Sequence, residues 1–530
     1  METEFYDKLL HCISNFHSLQ TIALVVLFNF LNDYEPAQKF AAERGCVNSL
    51  LSILKETFDG PSNVPEYTLK CLELVIRPDT QPNEFPEESI IPLLELANNP
   101  STTFGLFQTA FSCLALYLRG ESSKIYISQS LSMQKFLALM FRLQHWEDIT
   151  GARGQSVVEE DDREDVSSFI RKGRNTIFTA VSDASASTSF QINYPIHSTF
   201  MDQVRELLIS QDINHIVCAA LILGNVARDT ESCRILADDY QVHLSLCSIL
   251  KEQTQVGALH AAGGALKNMV VGYPSLRENI VEAGVLEHCQ KFYLATVMIE
   301  VQHMGLSLVR LLLATSPSNV ARLLEYDPRI SPLAQIFDLY ETNTEAPIRV
   351  EVGRIVASIL RETAKRPIES SQKETLWQRI FQMCPRFIHP VIQMTTLEKW
   401  PVVASEGWFA LALFAQYQEG ANVLAELVFP RDFYQALTKV MSTSETVPEK
   451  TSDTLLVSDS EETIGGTKEQ QKKDKDNVYI FLSEFLRNTV SITKPSNLVN
   501  FVIRLETDIT IDHEHRHLKL TSNEKGCSNC

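Results

Sequence analysis

Positive charge, glycine-rich phosphate loops and long apolar runs are what this sequence has least of. Its 47 Lys and Arg face 66 Asp and Glu, a formal charge of −19 over 530 residues. A surface that acidic repels nucleic acid and favours partners with basic segments. No run approaches the eighteen apolar residues of a membrane span, and METEFYDKLLHC lacks the basic start and apolar centre of a secretory signal. The eleven cysteines are scattered through apolar periodic segments, the usage of reduced core thiols, which predicts a cytoplasmic or also nuclear protein. GxxxxGK[ST] is missing, as are the nucleophile elbow and the kinase signatures. These absences predict a chain that neither binds GTP through a P-loop nor acts as an enzyme, and that needs no cofactor.

Apolar residues recur at helical spacing almost everywhere, as over Leu19 to Leu31, Phe107 to Leu118, Ile213 to Val226 and Val301 to Leu313. Convincing strand patterns are nearly missing. A shift of 196 places Asn29 on Asn225, Leu50 on Leu246 and SILK of 52–55 on SILK of 248–251. Asn29 and Gly45 are sixteen apart, and so are Asn268 and Gly284. Each unit therefore reads as a long helix, a short helix, a glycine turn and another helix, with glycine supplying the positive φ of a sharp reversal. Asn225, Asn268 and Arg310 step by 43 and 42 residues, the length of three-helix armadillo-type units. The expected fold is all-α, an armadillo-type right-handed α-solenoid of nine or ten units by that spacing.

Composition divides the chain. Degenerate repeats are expected over 1–146, an acidic and polar flexible insertion over 147–197, central repeats over 198–441, a disordered loop over 442–476, a helical cap over 477–511 and a polar tail over 512–530. The insertion holds VVEEDDREDVSS, whose Glu159, Glu160, Asp161, Asp162, Glu164 and Asp165 suit either a solvated loop or the attraction of a lysine-rich partner.

One polar position per repeat would line a groove in such a stack. Asn225, Asn268 and Arg310 occupy it, either bonding a neighbouring repeat's backbone or contacting a partner. Arg228 and Lys267 adjoin the asparagines, and Arg354 and Arg361 lie seven apart, on one face of one helix. Guanidinium groups beside amides suit carboxylates and backbone of another protein.

The succession CAALILGNVARDTESC, ALHAAGGALKNMVV, VQHMGLSLVRLLLATSPSNVARLL and VEVGRIVASILRE resembles consecutive armadillo units of the small-GTPase GDP-dissociation stimulator family, best over residues 205–425. That resemblance implies a protein that binds Ras- and Rho-type GTPases with polybasic, prenylatable C-termini, and a monomer is expected. It further implies promotion of GDP release, escort of the GTPase around prenylation, and a partner face including Asn225, Arg228, Asn268, Arg310 and Arg354. An importin-α-like adaptor or a scaffold for basic peptides is the alternative. Importin-type grooves place Trp four residues ahead of Asn, where this chain has Leu221 and Gly264, and Trp146, Trp377, Trp400 and Trp408 form no such ladder.

Two C-terminal motifs point elsewhere. HEHRH fits H-E-x-x-H, with His513 and His517 as zinc ligands and Glu514 as base, but it sits in an alternating polar tail with thirteen residues after it. Cys527 stands fourth from the end as in a prenylation box, yet Ser528, Asn529 and Cys530 depart from that pattern. Neither a metal site nor lipidation is expected.

Overall fold

The computed structural model describes residues 2–57, 63–76, 90–118, 127–128, 132–151, 160–294, 297–327, 331–365, 370–442 and 468–489. Among them every regular element is helical. Two compact units result, Met1–Leu246 and Cys247–Cys530. In the first, a series of long helices packs each upon the next: Gln20–Leu31, Val64–Val75, Phe104–Tyr117, Glu160–Ser185 and Ile213–Val226. In the second the series is Val256–Gly272, Ile299–Leu313, Ala346–Lys365, Pro401–Ala415 and Lys468–Thr489. These ten spine helices match the expected number of repeats.

The local chemistry of the repeat is the one the spacing predicts. After the spine helix Gln20–Leu31 come Glu35–Glu43 and Cys46–Thr57, and Gly45 between them sits at φ 72°. After Val256–Gly272 come Leu276–Glu282 and Val285–His288, with Gly284 at φ 85°. A side chain at φ near +60° costs roughly 1 to 2 kcal/mol, so glycine closes both turns.

A second device was not visible in the sequence. Asp33 and Thr315 adopt φ 53° and 54°, each two residues past the end of a spine helix. The reversal leaves terminal carbonyls without helical partners. An amide on the following short helix reaches back to them: Gln38 Nε2 donates to Leu31 O at 2.7 Å and Asn319 Nδ2 to Leu312 O at 2.8 Å. Both spans are seven residues, so the same cap recurs in each unit of the molecule.

The flexible insertion is corrected by the structure. Glu160–Ser185 is a 26-residue helix continuing the spine, followed by Thr188–Asn193. It packs on Ser132–Gly151 and on Ile213–Val226. Its acidic start masks an apolar stripe of Val166, Ile170, Ile177, Ala180, Val181 and Ala184, all buried. Gly173 keeps the approach close, because a Cβ there would lie 3.2 Å from both Leu143 and Phe111. The predicted loop over 442–476 is shortened in the same way, since the last spine helix already begins at Lys468. The rest of that loop, the cap beyond Thr489, HEHRH and the terminal cysteines lie outside the described residues, as does Glu159. No described helix is long and apolar enough to cross a membrane.

Candidate partner-binding face

In the first unit, Asn225 and Arg228 hold the fold. The Asn225 amide donates to Ser182 O at 2.9 Å and to Ser185 Oγ at 3.0 Å. Arg228 donates to Ala186 O at 2.6 Å and to Asn225 Oδ1 at 3.2 Å. Ser182, Ser185 and Ala186 lie at the C-terminal end of the neighbouring spine helix, where cations are favoured by the helix dipole. Of the two roles the sequence left open for this asparagine, bonding a neighbouring repeat's backbone is observed. Gln191 makes the return bond, donating to Val226 O at 3.0 Å.

In the second unit, the ladder of amides and cations becomes an ion-pair chain. Arg310 Nε donates to Glu351 Oε2 at 2.6 Å, and Arg354 approaches the other oxygen of Glu351 at 3.7 Å. Arg354 also grips Glu406 through two bonds of 2.9 and 3.2 Å, the fork geometry of guanidinium on carboxylate. The chain Arg310, Glu351, Arg354, Glu406 thus runs across three stacked spine helices. Burial pulls the Arg354 pKa down, but the Glu406 bonds and charge, with Glu351, outweigh it and hold the guanidinium above its ordinary value. Arg310 and Arg354, expected on the partner face, are engaged in ion pairs within the chain.

Three predicted residues remain half-buried toward solvent: Lys267 and Asn268 on Val256–Gly272, and Arg361 on Ala346–Lys365. Arg361 differs from its neighbours. It makes no ion pair among the described residues, and its guanidinium stands 5.7 Å from the centre of the Phe409 ring. The ring and cation form the wall of a cleft of about 470 Å³ between the helices Ala346–Lys365, Pro401–Ala415 and Lys468–Thr489. Sequence reasoning missed Glu351, Glu406, Phe409 and Lys473, all of which shape this face. Glu351 was readable as the residue three before Arg354; Glu406 was not, because its partner lies 52 positions away.

The acidic residues Glu160, Asp161 and Asp162 open the fourth spine helix of the first unit. Among the described residues, no group of three His, Cys, Asp or Glu is arranged to hold a metal ion.

No protein-family model and no curated protein matches the chain. Solved structures do. An engineered protein from a structural genomics consortium is similar over 90% of this chain and 98% of its own, with TM-score 0.53 and 15% identity. A structure described as the phosphorylation-controlled interaction between cadherin and beta-catenin covers 91% of this chain and 83% of that one, with TM-score 0.53 and 14% identity. At such identities the likeness concerns the fold, and with the observed repeat it establishes an all-α, armadillo-like solenoid.

Proposed function

We propose that this chain is a non-enzymatic binding protein for Ras- or Rho-type small GTPases that carry a polybasic C-terminal segment. By this reading it promotes GDP release and escorts the GTPase around prenylation. The observation that carries the proposal is a contrast of charge. A chain of −19 places Lys267, Arg361 and Lys473 along the spine helices of its second unit, beside the internally paired Arg310 and Arg354. Such a molecule suits a partner of mixed charge, with a basic tail for the acidic field and acidic groups for the cationic stripe. The ordered repeat succession from Asn225 to Arg361 supports the choice of GTPases by its resemblance to the GDP-dissociation stimulators.

The action follows from differential binding. A solenoid that prefers the nucleotide-free form of its partner weakens nucleotide affinity by the same factor, with no covalent step. The test is release of fluorescent GDP from a Rho-type GTPase with a lysine-rich tail, with and without the full chain, at low and high salt. Accelerated release that weakens with salt, together with a stable nucleotide-free complex, is the expected result. No acceleration and no complex at either salt would remove the proposal.

A further inference from the structure

The cleft beside Arg361 has a chemistry of its own. From Pro401–Ala415 it takes Val402, Glu406 and Phe409, spaced four and three residues apart and hence on one helix face. From Lys468–Thr489 it takes Gln470, Lys473, Asp476 and Asn477, with Lys473 and Asp476 three residues apart and opposite in charge. Val402 is 60% exposed, and Phe409 is half-buried under the Arg361 guanidinium. The result is an apolar floor beside a cation, in a space large enough for two or three side chains.

The decisive feature is which charges are already used. Both oxygens of Glu406 accept from Arg354, through Nε and Nη2, so it is not available to Arg361 as a fork partner. Gln470 donates to Ser405 and Asp474 and is likewise engaged. Arg361 has the aromatic face but forms no ion pair with a carboxylate among the described residues, although Glu406 and Asp476 line the same cleft. A guanidinium beside a ring still carries N–H donors in the planar fork that matches a carboxylate.

We propose that this cleft seats a carboxylate side chain, flanked by an apolar one, on a segment of a protein partner. The carboxylate pairs with the open edge of Arg361, and the apolar neighbour covers Val402 and the rim of Phe409. The proposal rests on the binding reading above and deepens it by naming what the partner presents: an acidic residue at this seat, while its basic segment meets the acidic surface. Requiring both signs of charge from one partner is a specificity device, since a purely basic or purely acidic peptide satisfies one feature and is repelled by the other.

The test uses saturation-transfer NMR with the full chain at micromolar concentration and the peptide Gly-Leu-Asp-Phe-Gly in millimolar excess. Parallel arms replace Asp by Asn, Lys or phosphoserine. The expected result is saturation of the Leu and Phe protons in the Asp peptide alone or in the Asp and phosphoserine peptides together. That signal falls by about tenfold or more with Arg361→Glu and with the milder Arg361→Gln. No signal from the Asp peptide, an equal signal from the Asn peptide, or an Asp signal untouched by both variants overturns the seat. Binding by the phosphoserine peptide alone overturns the assignment to a carboxylate. GDP release separates the two proposals. A functional seat without accelerated release removes only the GTPase reading, and accelerated release with no peptide binding removes only the seat.

Discussion

Glu351 is 5% exposed and serves two guanidinium groups from two spine helices, so its loss strands charge that the fold has already taken from water. Breaking a buried pair costs about 3 to 5 kcal/mol, and the partial exposure of both arginines brings the expectation for Glu351→Gln to about 2 kcal/mol. Urea unfolding followed by circular dichroism reads that loss directly; an unchanged transition would show the ion-pair chain to be dispensable. His215 adds a dependence on pH. Burial holds its imidazole below the ordinary value of 6.5, with Asp212 opposing, and the ring lies 4.0 Å from that of Phe141. His243 is depressed by burial in the same direction. Below pH 6.5 the unfolded chain binds protons that the native state refuses. Stability from these groups is therefore complete above that pH and is lost as pH falls through it. His215→Gln is expected to flatten the slope of stability between neutral pH and pH ~5. A slope identical to that of the parent would assign the acid sensitivity to other groups.

Neighbouring glycines within the spine helices have opposite expectations. A Cβ on Gly305 would lie 2.6 Å from Cβ of Phe292, an atom close to its backbone and unable to swing aside. Gly305→Ala should therefore lower stability by about 1 to 3 kcal/mol, the cost of overpacking a filled core. Gly264 meets nothing within 4 Å. Gly264→Ala is expected to be neutral or to stabilise by about 0.5 to 1 kcal/mol through reduced chain entropy. Thermal melts of the two variants give the comparison, and a reversal of their order would contradict the packing. At this scale the sequence was legible wherever one residue type has one physical reason, as with the positive-φ turns at Gly45 and Gly284. It was misleading where composition outvoted periodicity. The acidic start of Glu160–Ser185 concealed the stripe from Val166 to Ala184, whose spacing is helical once it is counted. The candidate face was less legible still. Whether Arg310, Arg354 or Arg361 is open depends on Glu351, Glu406 and Phe409, and each of those three sits on a different repeat from a cation it meets.

Within each unit, every spine helix packs on its sequence neighbours in the series, so the unit's stability is the sum of repeats and nearest-neighbour contacts rather than one shared core. This locality explains why a repeating pattern revealed the architecture while a partner surface, assembled from side chains of several repeats, stayed hidden. It also sets how damage spreads. Leu114 is fully buried on Phe104–Tyr117, which packs on Val64–Val75 and Glu160–Ser185. Leu114→Ala should cost about 2 to 5 kcal/mol where it acts, because a cavity adds to the lost transfer energy. The expected consequence is faster amide exchange in those three helices, with protection in Ala346–Lys365 and Pro401–Ala415 unchanged. Hydrogen exchange read by mass spectrometry resolves the segments separately. Acceleration of equal size in both units would mean that the chain unfolds as one cooperative body, and the nearest-neighbour description would fail.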